Sequence, residues 1–236
     1  VYGEVSNPQW LMHKSYKWDE VVSFSSKTRA GANYDHIRKC LVYYNRDSIY
    51  VYDFINKDSH KQAFDFPCPV EPYLGSSFVN PYDSLLYVYE PYVEDISSSA
   101  PTMAAYDIDA NTWTVKSEDT LPIRFHHHST YLDEVRKKFV FFGGFGNMIY
   151  NGDFYSCDLD NCQWKKDTLP SGDRIYPRYF TSLGYSSSAD ALYVFGGMGN
   201  ESGEQIVGRN YFYDLYRLDL NTGVNEKIWG KDIVLD

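Results

Sequence analysis

Apolar and polar residues alternate along this chain in short runs, the period of two that marks strands with one face on a core. The clearest are Cys40-Leu41-Val42-Tyr43-Tyr44, Ile49-Tyr50-Val51-Tyr52-Asp53, Leu85-Leu86-Tyr87-Val88-Tyr89, Phe139-Val140-Phe141-Phe142 and Leu192-Tyr193-Val194-Phe195. Helical periodicity is almost absent. The last two runs end in glycine pairs, Gly143-Gly144 and Gly196-Gly197, which stand 53 residues apart. A further 53 residues back lies Glu90, followed by Pro91, at the end of the Leu85 run. After each glycine pair comes an aromatic-acidic run, Phe154-Tyr155-Ser156-Cys157-Asp158 or Leu215-Tyr216-Arg217-Leu218-Asp219. A fixed period near 50 residues, built from short aromatic strands, predicts the blades of a β-propeller.

The expected fold is therefore all-β, a propeller of four-stranded antiparallel blades with strands a to d running from the axis outward. Strand b ends in the glycine pair, strand c leads into an Asp-x-Asp turn, and strand d opens near a tryptophan. Asp107 to Trp113 matches Asp158 to Trp164 position for position, and Asp219-Leu220-Asn221-Thr222-Gly223 repeats the turn ahead of Trp229. Asn, Asp and Gly at such points accept or cap a tight reversal. The blades are placed at about 29–66, 70–117, 122–167 and 176–230, with 1–28 as the outer part of an earlier blade. Residues 1–236 read as one propeller domain or part of one. Gly143, Gly144, Gly196 and Gly197 are assigned to the tight exit from strand b, and Trp113, Trp164 and Trp229 to the gaps between sheets.

These ordered elements resemble kelch repeats. In that family an apolar run enters Gly-Gly on strand b, a Tyr-Asp or Leu-Asp pair closes strand c, and a tryptophan follows. The resemblance covers roughly 29–229. It departs at Glu90-Pro91, which cannot take the positive φ of two glycines and needs a differently built turn. It implies a non-enzymatic recognition or sensing module that binds a protein segment or a small ligand. The alternative it leaves open is a sugar-active enzyme, mutarotase-like or oxidase-like. As context it suggests either a periplasmic or extracellular sensor portion or a cytoplasmic adaptor, with nothing deciding between them.

Composition narrows the partners. The formal net charge of −10 argues against nucleic acid, which needs a basic face, and against an anionic membrane surface. No apolar run reaches the roughly 20 residues that span a bilayer. Cys40, Cys68, Cys157 and Cys162 are too few for a disulfide framework at this length. Cys157 and Cys162 fall on one hairpin, as either a bridge or two reduced thiols. The triplet His126-His127-His128 puts at most two imidazoles on one strand face, and no matching ligand follows. No metal or cofactor is expected.

The candidate chemistry lies on loops. In an up-and-down blade the b–c and d–a connections share one face, and here the b–c loops are long, at 91–100, 145–152 and 198–209. Long loops on a rigid scaffold are where binding residues concentrate. Leu121-Pro122-Ile123-Arg124-Phe125 and Tyr176-Pro177-Arg178-Tyr179 each place an arginine at the entry to strand a, with Arg29 as a third instance. Arg29, Arg124 and Arg178, with Tyr150, Tyr176, Tyr179, Arg209 and Tyr211, form the expected ligand-binding set, suited to a carboxylate, a sugar or an acidic peptide. The competing reading pairs each arginine with a carboxylate of the next blade.

Overall fold

The computed structural model describes residues 20–231 apart from 25, 72, 73, 75, 95–99 and 169. Residues 1–19 of the expected partial blade, and the middle of the 91–100 loop, lie outside these described residues.

Four antiparallel sheets follow one another, each with its strands in the order a-b-c-d. Blade 1 comprises Ala30–Asp35, Cys40–Asn45, Ser48–Asp53 and Asp58–Ala63, and blade 2 comprises Ser77–Val79, Leu86–Tyr89, Met103–Asp107 and Thr112–Ser117. Blade 3 is built from Ser129–Asp133, Lys138–Phe142, Phe154–Asp158 and Trp164–Lys166. Blade 4 is built from Ser182–Ser186, Ala191–Phe195, Asp214–Asp219 and Val224–Gly230. The connection between blades 3 and 4 adds a short fifth strand, Ser171–Gly172, parallel to the outer edge of blade 4. This is the propeller architecture. Among the described residues no helix is long and apolar enough to cross a membrane.

The alternation in each run explains how the sheets stack. Successive side chains of a strand point to opposite faces, so in strand b of blade 3 Phe139 and Phe141 turn toward blade 2. Val140 and Phe142 turn toward blade 4. Three apolar layers result. Val42, Tyr44 and Ile49 meet Leu86, Val88 and Tyr106 between blades 1 and 2. Tyr87, Tyr89 and Met103 meet Phe139, Phe141, Tyr155 and Trp164 between blades 2 and 3. Phe142 and Phe154 meet Leu192, Val194 and Tyr216 between blades 3 and 4. Each such side chain contributes about 1.5–3 kcal/mol by leaving water.

The far face carries the short turns. In every c–d hairpin the leading aspartate, Asp53, Asp107, Asp158 or Asp219, accepts backbone N–H groups of the turn through its Oδ1. The residue four places on has positive φ: Lys57, Asn111, Cys162 and Gly223. On the same face Arg38 reaches from blade 1 to the Ser84 carbonyl and Asp109 of blade 2. Arg136 likewise reaches from blade 3 to Asp190 and the Leu220 carbonyl of blade 4. These guanidinium clasps hold neighbouring blades together at the end away from the long loops.

Trp113 packs on Phe64 and Tyr106, and Trp164 is buried beside Tyr89 and Phe141. Trp229 differs from the expectation. It pairs with Leu215 and not with the strand position that Trp164 occupies, so it turns to the opposite face of blade 4 and is 48% exposed. All four cysteines are buried free thiols.

Candidate functional site

The two entry arginines are not equivalent. His126 bridges Phe145 in blade 3, and Tyr179 pairs with Met198 in blade 4, which aligns Tyr179 with His126. The counterpart of Arg178 is therefore Phe125, and both are buried; Arg124 stands one position earlier, in the place of Pro177. The close approaches of Gly146 to Arg124 and of Gly199 to Pro177 give the same register.

Arg178 accordingly leaves the ligand set. Its side chain is completely buried and forks onto Asp214, with Nη1–Oδ1 at 2.6 Å and Nη2–Oδ2 at 3.1 Å. Its Nε donates to the Tyr176 carbonyl and Nη1 to the Gly196 carbonyl, and the guanidinium lies 4.0 Å from the centre of the Phe212 ring. It is a structural cation of blade 4. The paired reading holds here, except that the carboxylate belongs to the same blade and not to the next.

Arg124 and Arg29 sit differently. Both line a cavity of about 610 Å³ together with Arg46, Glu71, Glu90, Tyr92 and Glu94. Arg29 pairs with Glu71 at 3.2 Å and Arg124 with Glu94 at 3.1 Å, and both carboxylates are largely exposed. Arg124 also lies 5.1 Å over the Tyr92 ring. Ion pairs this exposed are individually weak.

Glu90 lies among these cations. Burial pushes its carboxyl up to about 7, against the opposing pull of the Tyr92 N–H, Arg124 and Arg29. A group poised there can accept a hydrogen bond when ionised or donate one when protonated. The turn that holds it is built without glycine. Glu90 N–H donates to the Thr102 carbonyl and the Pro91 carbonyl accepts from Leu121 N–H, which ties the b–c turn to the strand that leaves blade 2. Glu90 and Arg46 were not among the expected binding residues. The signal for Glu90 was a carboxylate at the position where blades 3 and 4 carry glycine; for Arg46, in the b–c turn of blade 1, the sequence carries none.

The remaining expected residues gather on blades 3 and 4. Tyr150 and Tyr179 are buried and stacked with ring centres 5.5 Å apart, and Arg209 donates to the Tyr179 hydroxyl at 3.0 Å. That bond and the nearby tyrosines raise the Arg209 pKa. Tyr176 is close to Arg174 and Phe212, and Tyr211 is exposed on the rim of a separate cavity. The expected single ring thus resolves into two places: the Arg29–Arg124 cavity over blades 1 and 2, and an aromatic cluster over blades 3 and 4.

The histidines serve this scaffold. His127, with positive φ, stacks on Phe145 and leans on Phe180. His128 shares a 2.7 Å hydrogen bond between its Nε2 and the Tyr89 hydroxyl, and desolvation holds its imidazole down to about 4. Among the described residues no group of three or more His, Cys, Asp or Glu side chains could hold a metal ion.

Residues 76–232 match the family model described as the KLHDC2/KLHL20/DRC7 Kelch-repeats domain. No curated protein matches the chain.

Proposed function

From the premise that this chain belongs to the kelch-repeat family, we propose that it is a non-enzymatic recognition propeller that captures an acidic or polar segment of another protein on its b–c and d–a loop face. The observation that carries the reading is the convergence of Arg29, Arg46 and Arg124 around Glu90 in one open cavity. The cavity sets these three arginines against Glu71, Glu90 and Glu94 on a body of net charge −10, so the guanidinium groups are what an anion would engage there. Exposed counter-carboxylates at Glu71 and Glu94 would be displaced by a ligand carboxylate or phosphate, which gains charge-assisted hydrogen bonds from the guanidinium groups.

The test is a binding screen of the chain against synthetic Asp/Glu-rich peptides and neutral peptides of equal length. Acidic peptides should bind, and the Arg29→Ala/Arg124→Ala variant should bind them at least about tenfold more weakly with an unchanged circular dichroism spectrum. Equal binding by parent and variant, or no preference for acidic peptides, would sink the proposal. A second reading has one observation in its favour. A carboxyl with a pKa about 7 beside two arginines suits proton transfer on a sugar. Mutarotation of reducing sugars that disappears in Glu90→Gln would favour that enzyme instead.

A further inference from the structure

The junctions between successive sheets are not filled alike. Between blades 2 and 3 the Phe78 ring stacks on Tyr87 and on Phe139, with ring centres 5.0 and 4.1 Å apart. Cys162 and Trp164 join the same layer from the c–d turn and strand d of blade 3. Strand pairing gives the counterparts between blades 3 and 4. Val140 pairs with Tyr131 as Tyr87 pairs with Phe78, and Leu192 pairs with Leu218 as Phe139 pairs with Cys157. Asn225 opposes Leu218 as Trp164 opposes Cys157, and Gly223 has the positive φ of Cys162. A smaller residue therefore replaces a larger one each time: valine for tyrosine, leucine for phenylalanine, glycine for cysteine and asparagine for tryptophan.

Neither Asn225 nor Trp229 makes up the loss. Asn225 Nδ2 donates to the Asp173 carbonyl, beside the parallel pairing of Ser171–Gly172 with the outer strand of blade 4. Trp229 turns to the opposite face of that blade. A cavity of about 420 Å³ remains, with Val140, Phe154, Leu192, Leu218 and Leu220 as apolar walls and Tyr131 beside them. Packed interiors hold few voids larger than a water molecule, and this volume falls in the range of small-molecule sites. Both walls are sheets of this chain, blade 3 on one side and blade 4 on the other. The charged groups around the cavity are mostly engaged: Arg136 is held by Asp133 and Asp190, and Asp219 by the N–H groups of its own turn. Asp167 lines the cavity with an acceptor to spare. Its Oδ1 accepts from Ser156 Oγ at 2.8 Å, and among the described residues nothing is bonded to its Oδ2.

We propose that this cavity binds a planar aromatic molecule with a ring N–H, of the indole class, its ring against the apolar walls and its N–H on Asp167. The neighbouring junction argues for this occupant, because there the fold itself places aromatic rings, one of them an indole, at the positions that are reduced here. An apolar cavity lined by aliphatic and aromatic side chains stays dry and takes up an aromatic ring. Tyr131 and Phe154 present further rings, which favour offset or edge-to-face contact with such a guest. A ring N–H on a carboxylate forms a charge-assisted hydrogen bond, which separates the indole class from plain hydrocarbons of the same shape. The site is separate from the Arg29–Arg124 cavity and does not depend on it.

The probe is indole itself, titrated into the whole chain by calorimetry, with benzofuran, which carries oxygen in place of the N–H, run beside it. Expected are saturable binding of indole and binding of benzofuran weaker by at least about tenfold, a preference that Asp167→Ala should erase. Leu192→Phe and Val140→Tyr restore the side chains of the preceding junction and should each abolish the saturable heat while keeping the circular dichroism spectrum of the parent. The Arg29→Ala/Arg124→Ala variant should bind indole normally. A measurement on the parent alone guards against filled variants that fail to fold: nuclear Overhauser contacts from the indole protons should reach the methyl groups of Leu192 and Leu218. No saturation at millimolar indole, contacts to other methyl groups only, or undiminished binding by a folded Leu192→Phe variant overturns the proposal. Equal affinity for benzofuran overturns it as well, since the N–H would then play no part.

Discussion

Removing the Arg178 guanidinium should cost this protein far more than any exposed arginine would, because Asp214 would be left behind as an uncompensated buried charge. Asp214 is only 5% exposed, and both of its carboxylate oxygens are held by Arg178. Breaking a buried pair from one side typically costs about 3–5 kcal/mol. Arg178→Ala also strips donors from the Tyr176 and Gly196 carbonyls and ends the contact with Phe212. We expect a loss of about 4 kcal/mol, equivalent to roughly 8–16 °C in Tm for a chain of this size. Asp214→Ala should lose a similar amount. The double variant Arg178→Met/Asp214→Leu removes both charges and keeps apolar volume, so it should lose much less than the two single losses together. Arg178→Lys keeps the charge without the planar fork and should fall between parent and alanine variant. The assay is urea denaturation followed by circular dichroism, with the m value checked for two-state behaviour. A loss under about 1 kcal/mol for Arg178→Ala, or strict additivity in the cycle, would refute the reasoning.

Three further outcomes are expected. Gly143→Ala should destabilise by about 2–4 kcal/mol, since its φ of +73° is strained for alanine and the new Cβ would meet the Arg178 carbonyl; Gly208→Ala, at φ +94° with open space around it, should cost only about 1 kcal/mol in the same melt. Glu90, raised from 4.5 to about 7, binds its proton more tightly when folded, so stability should fall as pH rises through that window. Glu90→Gln should remove that slope and gain on the order of 1–2 kcal/mol over the parent at pH 8, and a constant difference from pH 4 to 8 would contradict the assignment. His128 works in the opposite sense. Its imidazole, lowered from 6.5 to about 4, disfavours the proton in the folded state, so stability should be lost as pH falls below about 6.5. His128→Gln is expected to be less stable at pH 7 but to lose on the order of 2 kcal/mol less on acidification to pH 4, measured as parallel unfolding curves.

The strands, their order and the turn chemistry were legible in the sequence because each depends on neighbours a few residues away. Alternation in Phe139 to Phe142 assigns two apolar side chains to each side of a sheet, and the aspartate that opens each c–d turn caps it by accepting a turn N–H through its side-chain Oδ1. The 53-residue spacing of the glycine pairs carried the blade architecture for the same reason. Tertiary structure alone decided which arginine is structural. Arg124 and Arg178 follow similar Pro-containing entries, but a one-residue difference in register sends one to an open cavity and the other onto Asp214, 36 residues further along. Trp229 was misplaced by the same kind of shift, since the strand pairing that turns it outward is not visible in its own neighbourhood. The raised pKa of Glu90 likewise arises from burial, a property of chain segments brought together from blades 1 and 2 and the entry to blade 3. Local pattern specifies strands and turns through short-range sterics and hydrogen bonds, whereas the environment of a charge is set by which distant segments the folded sheets bring against it.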